Sequence, residues 1–238
     1  MVCSSGVAFD PVIDETSYTF APSGLYNGLF VMRDDQTGSI WTHFDGSVIQ
    51  GPMVGTGVEL EIQPIVHVTW AEWLEEHPDT LVPEWYTGFE DRYAEGFDAG
   101  SGGLSPTFQD SLLNEDDRLP VNELVLGVGL GDEYTAFALG DVSGPAAANE
   151  ELSGFPLAVF LDGSEDFGLA FCAVVGGDTL TFEVIDGRYR SADGTAWSRS
   201  GLATAGPLKG EQLGYVTSFV TEWYGWSAYH PATTISVN

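Results

Sequence analysis

Positive charge is what this chain has least of. Seven Lys and Arg stand against 36 Asp and Glu, Lys209 is the only lysine, and the formal net charge is −29. Nucleic acid and anionic membrane surfaces both call for a cationic footprint. Neither is expected as a partner, whereas solvent cations are. Cysteine is scarce as well: Cys3 and Cys172 permit one disulfide without requiring it. No apolar run approaches the ~20 residues of a membrane-spanning helix. Met1 leads into Val-Cys-Ser-Ser-Gly without the basic start of a signal peptide. No H-E-x-x-H, P-loop or G-x-S-x-G is found, and Gly127-Val128-Gly129-Leu130-Gly131 lacks the G-x-G-x-x-G spacing of a dinucleotide loop.

A large uncompensated charge destabilises a compact state by self-repulsion. At 1 M salt the Debye length falls to about 3 Å and most of that repulsion is screened. Near-absence of lysine with abundant carboxylate therefore fits a protein solvated in brine, and a haloarchaeal source is the expectation. An acidic mesophilic protein or a cation buffer is the other reading of the same numbers.

What the chain does have is aromatic residues in a repeating order. Trp70-Ala71-Glu72-Trp73 with His77-Pro78 and Thr80 returns 153 positions later as Trp223-Tyr224-Gly225-Trp226 with His230-Pro231 and Thr233. Two Trp at i, i+3 followed by His-Pro read as one face of a short helix that stops before proline. Other landmarks recur in the same order. Gly6-Val7-Ala8-Phe9 matches Gly168-Leu169-Ala170-Phe171, Thr37-Gly38-Ser39-Ile40-Trp41 matches Asp193-Gly194-Thr195-Ala196-Trp197, and Gly51-Pro52 matches Gly206-Pro207. Period-two alternation, as in Val58–Ile62, and turn pairs such as Asp14-Glu15 place strands between them.

The expected architecture is α+β and β-rich, with two repeated antiparallel units, sandwich-like or barrel-like, each closed by a short helix. Unit one spans 1–82, an aromatic and Gly-rich linker 83–118, and unit two 119–238. The strand at 6–9 lacks the neighbours that 168–171 draws from the stretch 123–161, so unit one reads as N-terminally incomplete, and either an open edge suited to homo-oligomerisation or a missing upstream part of the unit is expected there. Trp41, Trp70, Trp73, Trp197, Trp223 and Trp226 are expected in the core, with His77 and His230 in a shared packing role at the helix ends.

Taken in order, Cys-Ser-Ser-Gly-Val-Ala-Phe-Asp (3–10), Ser-Gly-Leu-Tyr-Asn (23–27), Asp-Gln-Thr-Gly-Ser-Ile-Trp (35–41) and the two Trp/His-Pro segments resemble the DUF3179 family. The resemblance covers nearly the whole chain and implies an architecture without a mechanism. It also implies an exported or envelope location, whereas Met1 as the authentic start would imply the cytoplasm. Members carry a thiol-bearing run near the position of Cys3, which makes Cys3 a candidate for metal or redox work. Cys172, directly after its repeat-equivalent strand, is the second candidate. A Cys3–Cys172 bridge and two free, packed thiols both stay open. His43 and His67 lack repeat partners and complete the weak metal candidates, although no pair has ligand spacing. With 36 acids, carboxylate pairs carry no signal of their own. The functional expectation is a non-catalytic binding or structural module of a halophilic cell envelope. The alternative is a metal-dependent or thiol redox enzyme whose site lies between the units.

Overall fold

The computed structural model describes residues 5–82, 104 and 106–236. Turn chemistry sets the first strands. After β1 (Ala8–Phe9), β2 (Val12–Ile13) and β3 (Thr16–Ser17) form a hairpin whose Asp14 and Glu15 take φ of 47° and 63°. Left-handed residues at both turn positions match the twist of antiparallel strands. β4 (Phe20–Tyr26) and β5 (Leu29–Asp34) turn the same way at Asn27-Gly28, with φ of 47° and 74°. Then come β6 (Ile40–Thr42), β7 (Val48–Gln50), β8 (Ile62–Gln63) and helix α1 (Trp70–Glu76).

The short helix α2 (Pro106–Gln109) precedes β9 (Leu124–Leu130), β10 (Glu133–Ala138), β11 (Pro145–Leu152), β12 (Phe155–Asp162) and β13 (Phe167–Cys172). Small hairpin strands follow as β14 (Val174–Val175) and β15 (Asp178–Thr179), then β16 (Phe182–Ile185), β17 (Arg188–Ser191), β18 (Ala196–Trp197) and β19 (Ala203–Ala205). β20 (Tyr215–Val216), β21 (Ser218–Glu222), α3 (Trp223–Tyr229) and β22 (Thr234–Ser236) complete the order. The fold is β-rich α+β, and among the described residues no sheet closes into a barrel.

Strand registers in the two halves run in parallel. Ala170↔Val216 and Phe171↔Tyr215 join β13 to β20, as Ala8↔Gln63 and Phe9↔Ile62 join β1 to β8. Val174↔Thr179 in β14–β15 corresponds to Val12↔Ser17 in β2–β3. The irregularity at Ala196/Trp197 between β18 and β19 stands where β6 and β7 have one at Ile40/Trp41. Trp41 and Trp197 are both buried, their indole N–H groups donating to Asp34 Oδ2 at 2.8 Å and Ser191 Oγ at 2.9 Å. Asp34 is wholly buried. Burial raises its pKa, but hydrogen bonds from Trp41, Thr37 and the Gly38 backbone outweigh that and hold it below the usual carboxylate range.

The halves differ in what surrounds these strands. β13 lies between β12 and β20, whereas β1 pairs with β8 alone among the described residues. β9–β12 have no counterpart among the described residues of the first half. That difference corrects two expectations. The alternation at Val58–Ile62 yields only β8 and an isolated bridge, Ser47↔Glu59, because β1 offers just two pairing positions. The expected burial of all six repeated Trp fails for the first helix: Trp70 is 54% and Trp73 40% exposed, against 0% and 2% for Trp223 and Trp226.

α3 is buried in a cluster to which both halves contribute. Leu29 and Phe44 from the first half pack in one cluster with Val125, Phe219, Trp223 and Trp226 from the second. The part of 83–118 that is described reaches the same helix, with Phe108 edge-on to Tyr224 at 5.6 Å. Arg118 lies 5.3 Å from the Trp223 ring centroid.

Candidate functional site

The two Trp/His-Pro segments fold into the same local device. In α1, His77 N–H donates to the Trp73 carbonyl at 2.8 Å, and Thr80 N–H donates to the His77 carbonyl at 3.1 Å. The Trp73 indole N–H donates to Thr80 Oγ1 at 2.8 Å, and the Trp73 and His77 rings lie 4.1 Å apart. In α3 the same bonds join His230 to Trp226 at 2.9 Å, Thr233 to His230 at 2.9 Å and the Trp226 indole to Thr233 Oγ1 at 2.9 Å. There the ring separation is 4.3 Å. The bonds are local, so each segment satisfies its own helix end where the proline stops the backbone ladder.

The two settings could hardly differ more. Around α3, Phe44 packs on Trp226 at 6.0 Å, and Tyr134 stacks on His230 at 3.8 Å. The Asn27 amide in the β4–β5 turn donates to the Ala228 carbonyl at 3.0 Å. Around α1 there is instead an open cleft of about 480 Å³, lined by Val66, Val68, Trp73 and His77 on one side and Arg188, Trp197, Arg199 and Ser200 on the other.

Sequence offers a reason for the cleft. Ser200 stands three residues after Trp197, where Phe44 stands three after Trp41. Arg188 follows the turn Asp186-Gly187 as Leu29 follows Asn27-Gly28. Two apolar fillers are thus replaced by a hydroxyl and a guanidinium. The β16–β17 hairpin is also shorter, with four cross-strand pairs against six in β4–β5, so its tip reaches less far toward the helix. Arg199 is held in place by Asp162 at 3.0 Å and Glu165 at 2.5 Å, over the Phe167 ring. Arg188 is exposed at the rim. Leu29, Phe44, Arg188 and Ser200 carry no motif. Aligning the two halves on Trp41 and Trp197 is the signal that finds them.

The metal candidates that are described, Cys172, His43 and His67, do not converge. Cys172 is a free thiol packed against the β9–β13 core, and Cys3 lies outside the described residues. His43 is buried against Phe30, 3.8 Å between rings, with Nδ1 2.8 Å from the Phe30 carbonyl. Burial lowers its pKa, partly offset by that carbonyl and by Asp45. His67 lies elsewhere, its Nδ1 3.3 Å from the Asp166 carbonyl. Among the described residues no three His, Cys, Asp or Glu gather as metal ligands.

A second cavity, about 470 Å³, lies between the halves and is lined by Asp45, Glu59, Glu61, Tyr134, Trp226 and His230. Burial lowers the His230 pKa to about 4 against an attraction from Asp45 that raises it, so the ring is neutral near pH 7. Burial and the carboxylates of Asp132, Asp45 and Glu59 raise the pKa of Tyr134. As pH falls below about 6.5 the unfolded chain takes up a proton on His230 that the folded chain refuses until about 4, so stability is lost across that window. At molar salt, titrating the wild type should show a loss of up to ~3 kcal/mol there. His230→Phe should flatten that part of the curve. An unchanged slope would show that the ring titrates normally in the folded state.

The family model described as a protein of unknown function, DUF3179, matches residues 1–233. The chain belongs to the DUF3179 family. No curated protein matches this DUF3179 chain, and no solved structure does. Membership accords with the ordered landmarks of the sequence and assigns no residue a role.

Proposed function

We propose that the chain is a non-catalytic binding or structural module of a halophilic cell envelope, and that its binding surface is the α1 region. One observation carries this reading. The same hydrogen-bonded Trp/His-Pro/Thr device is core in α3 and solvent-exposed in α1, above a cleft whose apolar fillers are replaced by Arg188 and Ser200. A concentrated, preformed apolar face on an otherwise highly charged protein marks an interaction site. The envelope setting is supported by the family resemblance, and the halophilic one by the net charge of −29. No described helix is long and apolar enough to cross a membrane.

The alternative is a metal-dependent or thiol redox enzyme working between the halves. Its candidates Cys172, His43 and His67 lie apart. Metal analysis of protein purified in molar salt separates the two readings. Transition metal well below one equivalent is expected. A stoichiometric metal that survives dialysis would overturn the module reading.

A further inference from the structure

We propose that the cavity between the halves, beside α3, binds a small quaternary ammonium cation, seated against aromatic rings with carboxylates around it. This site is separate from the α1 surface and is tested independently of it.

Among 36 acids, a few carboxylates beside a cavity carry no signal. The aromatic wall is what singles this cavity out. Five rings join there in one connected cluster. Phe44 lies 4.8 Å from Phe219 and 6.0 Å from Trp226, Tyr134 stacks on His230 at 3.8 Å, and His230 lies 4.3 Å from Trp226. β9 fixes two of them in place. A Cβ on Gly127 would stand 2.1 Å from the Trp226 ring, and one on Gly129 would stand 3.0 Å from the Tyr134 ring. A preformed concave wall of apolar rings with a few polar groups is the make-up of a small-molecule site, and about 470 Å³ is within the range of such sites.

Asp45, Glu59 and Glu61 line the same cavity from the first half. Asp45 is half-buried and held by its own turn. Its Oδ1 accepts from the Ser47 N–H at 3.0 Å, from the Ser47 hydroxyl at 2.8 Å and from the Thr42 hydroxyl. Among the described residues no Lys or Arg lines the cavity or pairs with these three carboxylates. Their charge reaches the rings. After burial, Asp132, Asp45 and Glu59 raise the pKa of Tyr134, and Asp45 opposes the burial that lowers His230 to about 4. Near pH 7 the imidazole is neutral and adds no positive charge to the cavity.

Charge and surface together select the ligand. An anion would meet three carboxylates without a cation beside them. A hard metal ion replaces its water only with converging oxygen ligands, and no three acidic or imidazole groups gather in that way among the described residues. A quaternary ammonium group makes no hydrogen bonds of its own and is drawn to ring faces and to nearby negative charge alike. Molar salt weakens such attraction least where the charge is partly buried, as at Asp45.

The probe is choline chloride, titrated into the full chain as a replacement for part of a molar KCl background. Backbone amide NMR shifts of Gly129, Gly131 and Thr217, all on the cavity wall, are the readout. Saturable shifts at these amides are expected. The neutral isostere in which carbon replaces the charged nitrogen (neohexyl alcohol) should bind about fivefold more weakly or worse. Asp45→Asn keeps the Oδ1 acceptor and removes the charge, so it should weaken choline by about fivefold while leaving the alcohol unchanged. Thr217 is exposed, and Thr217→Arg should abolish the choline shifts without altering the melting temperature. Comparing choline with the alcohol on the wild type needs no variant to fold. Absence of saturable shifts, equal binding of the alcohol, the same shifts from magnesium chloride, or unchanged choline affinity in Thr217→Arg would each overturn the proposal.

Discussion

Transfer from 0.1 M to molar KCl should raise the melting temperature of this protein by on the order of 10–20 °C. Seven cations among 36 acids leave most carboxylates to face solvent and one another. Two of the seven are already committed, Arg118 to Asp116 at 2.6 Å and Arg199 to Asp162 and Glu165. Repulsion between two exposed charges 4 Å apart is about 1 kcal/mol in water. Summed over many pairs, it is a large part of a folding free energy of ~5–15 kcal/mol. Relief of about 5 kcal/mol corresponds to the quoted shift for a domain of this size. Mild acid at low salt should act in the same direction, by protonating carboxylates as the pH nears the pI of about 4.1. The His230 loss opposes this and is best seen when salt has removed the repulsion. Calorimetry across a salt series is the measurement. A melting temperature indifferent to salt would remove the halophile reading.

The second large effect is an asymmetry between two residues that look equivalent in sequence. Trp226→Ala should cost roughly 3–5 kcal/mol, the range for a large aromatic removed from a core, because Phe44, Phe219, Tyr134 and His230 all touch its ring. Trp73→Ala should cost about 1 kcal/mol or less, since it loses one hydrogen bond to Thr80 and contact with His77. Denaturant titration in molar salt checks both. Equal losses would mean that α1 is covered in solution, contrary to its exposure. Near-equal small losses would mean that α3 is not the centre of the core.

That asymmetry also marks where sequence reasoning stops. Turns are written locally: Asp14-Glu15 has two left-handed residues, and Trp41 and Trp197 mark matching β-sheet positions. The helix over Trp70–Glu76 follows from Trp spacing and the proline after His77. Whether such a helix is buried depends on strands supplied from elsewhere. For α3 these are β9 and β10, nearly a hundred residues upstream, and nothing in the residues of α1 reports that Trp70 and Trp73 stand more exposed than Trp223 and Trp226. The cleft was illegible for a similar reason. Ser200 and Arg188 are ordinary surface residues until set beside Phe44 and Leu29. Histidines and cysteines drew attention by type; the structure places His43 against Phe30 and Cys172, partly buried, against the β9–β13 core.

The placement of α3 bears on synthesis. β9 needs β21, β10 needs β22, and Leu29 and Phe44 need Trp223 and Trp226. A nascent chain that has reached residue 210 therefore carries a half-covered Gly127-bearing sheet and an unfilled slot against Phe44. Contacts this distant in sequence form slowly and leave apolar surface open in the meantime. Ribosome-bound chains arrested before Ser218 should be readily cleaved by protease, and chains arrested with residue 236 clear of the exit tunnel should resist it. Cooperative closure then waits on the last twenty residues described, whatever the first two hundred have done.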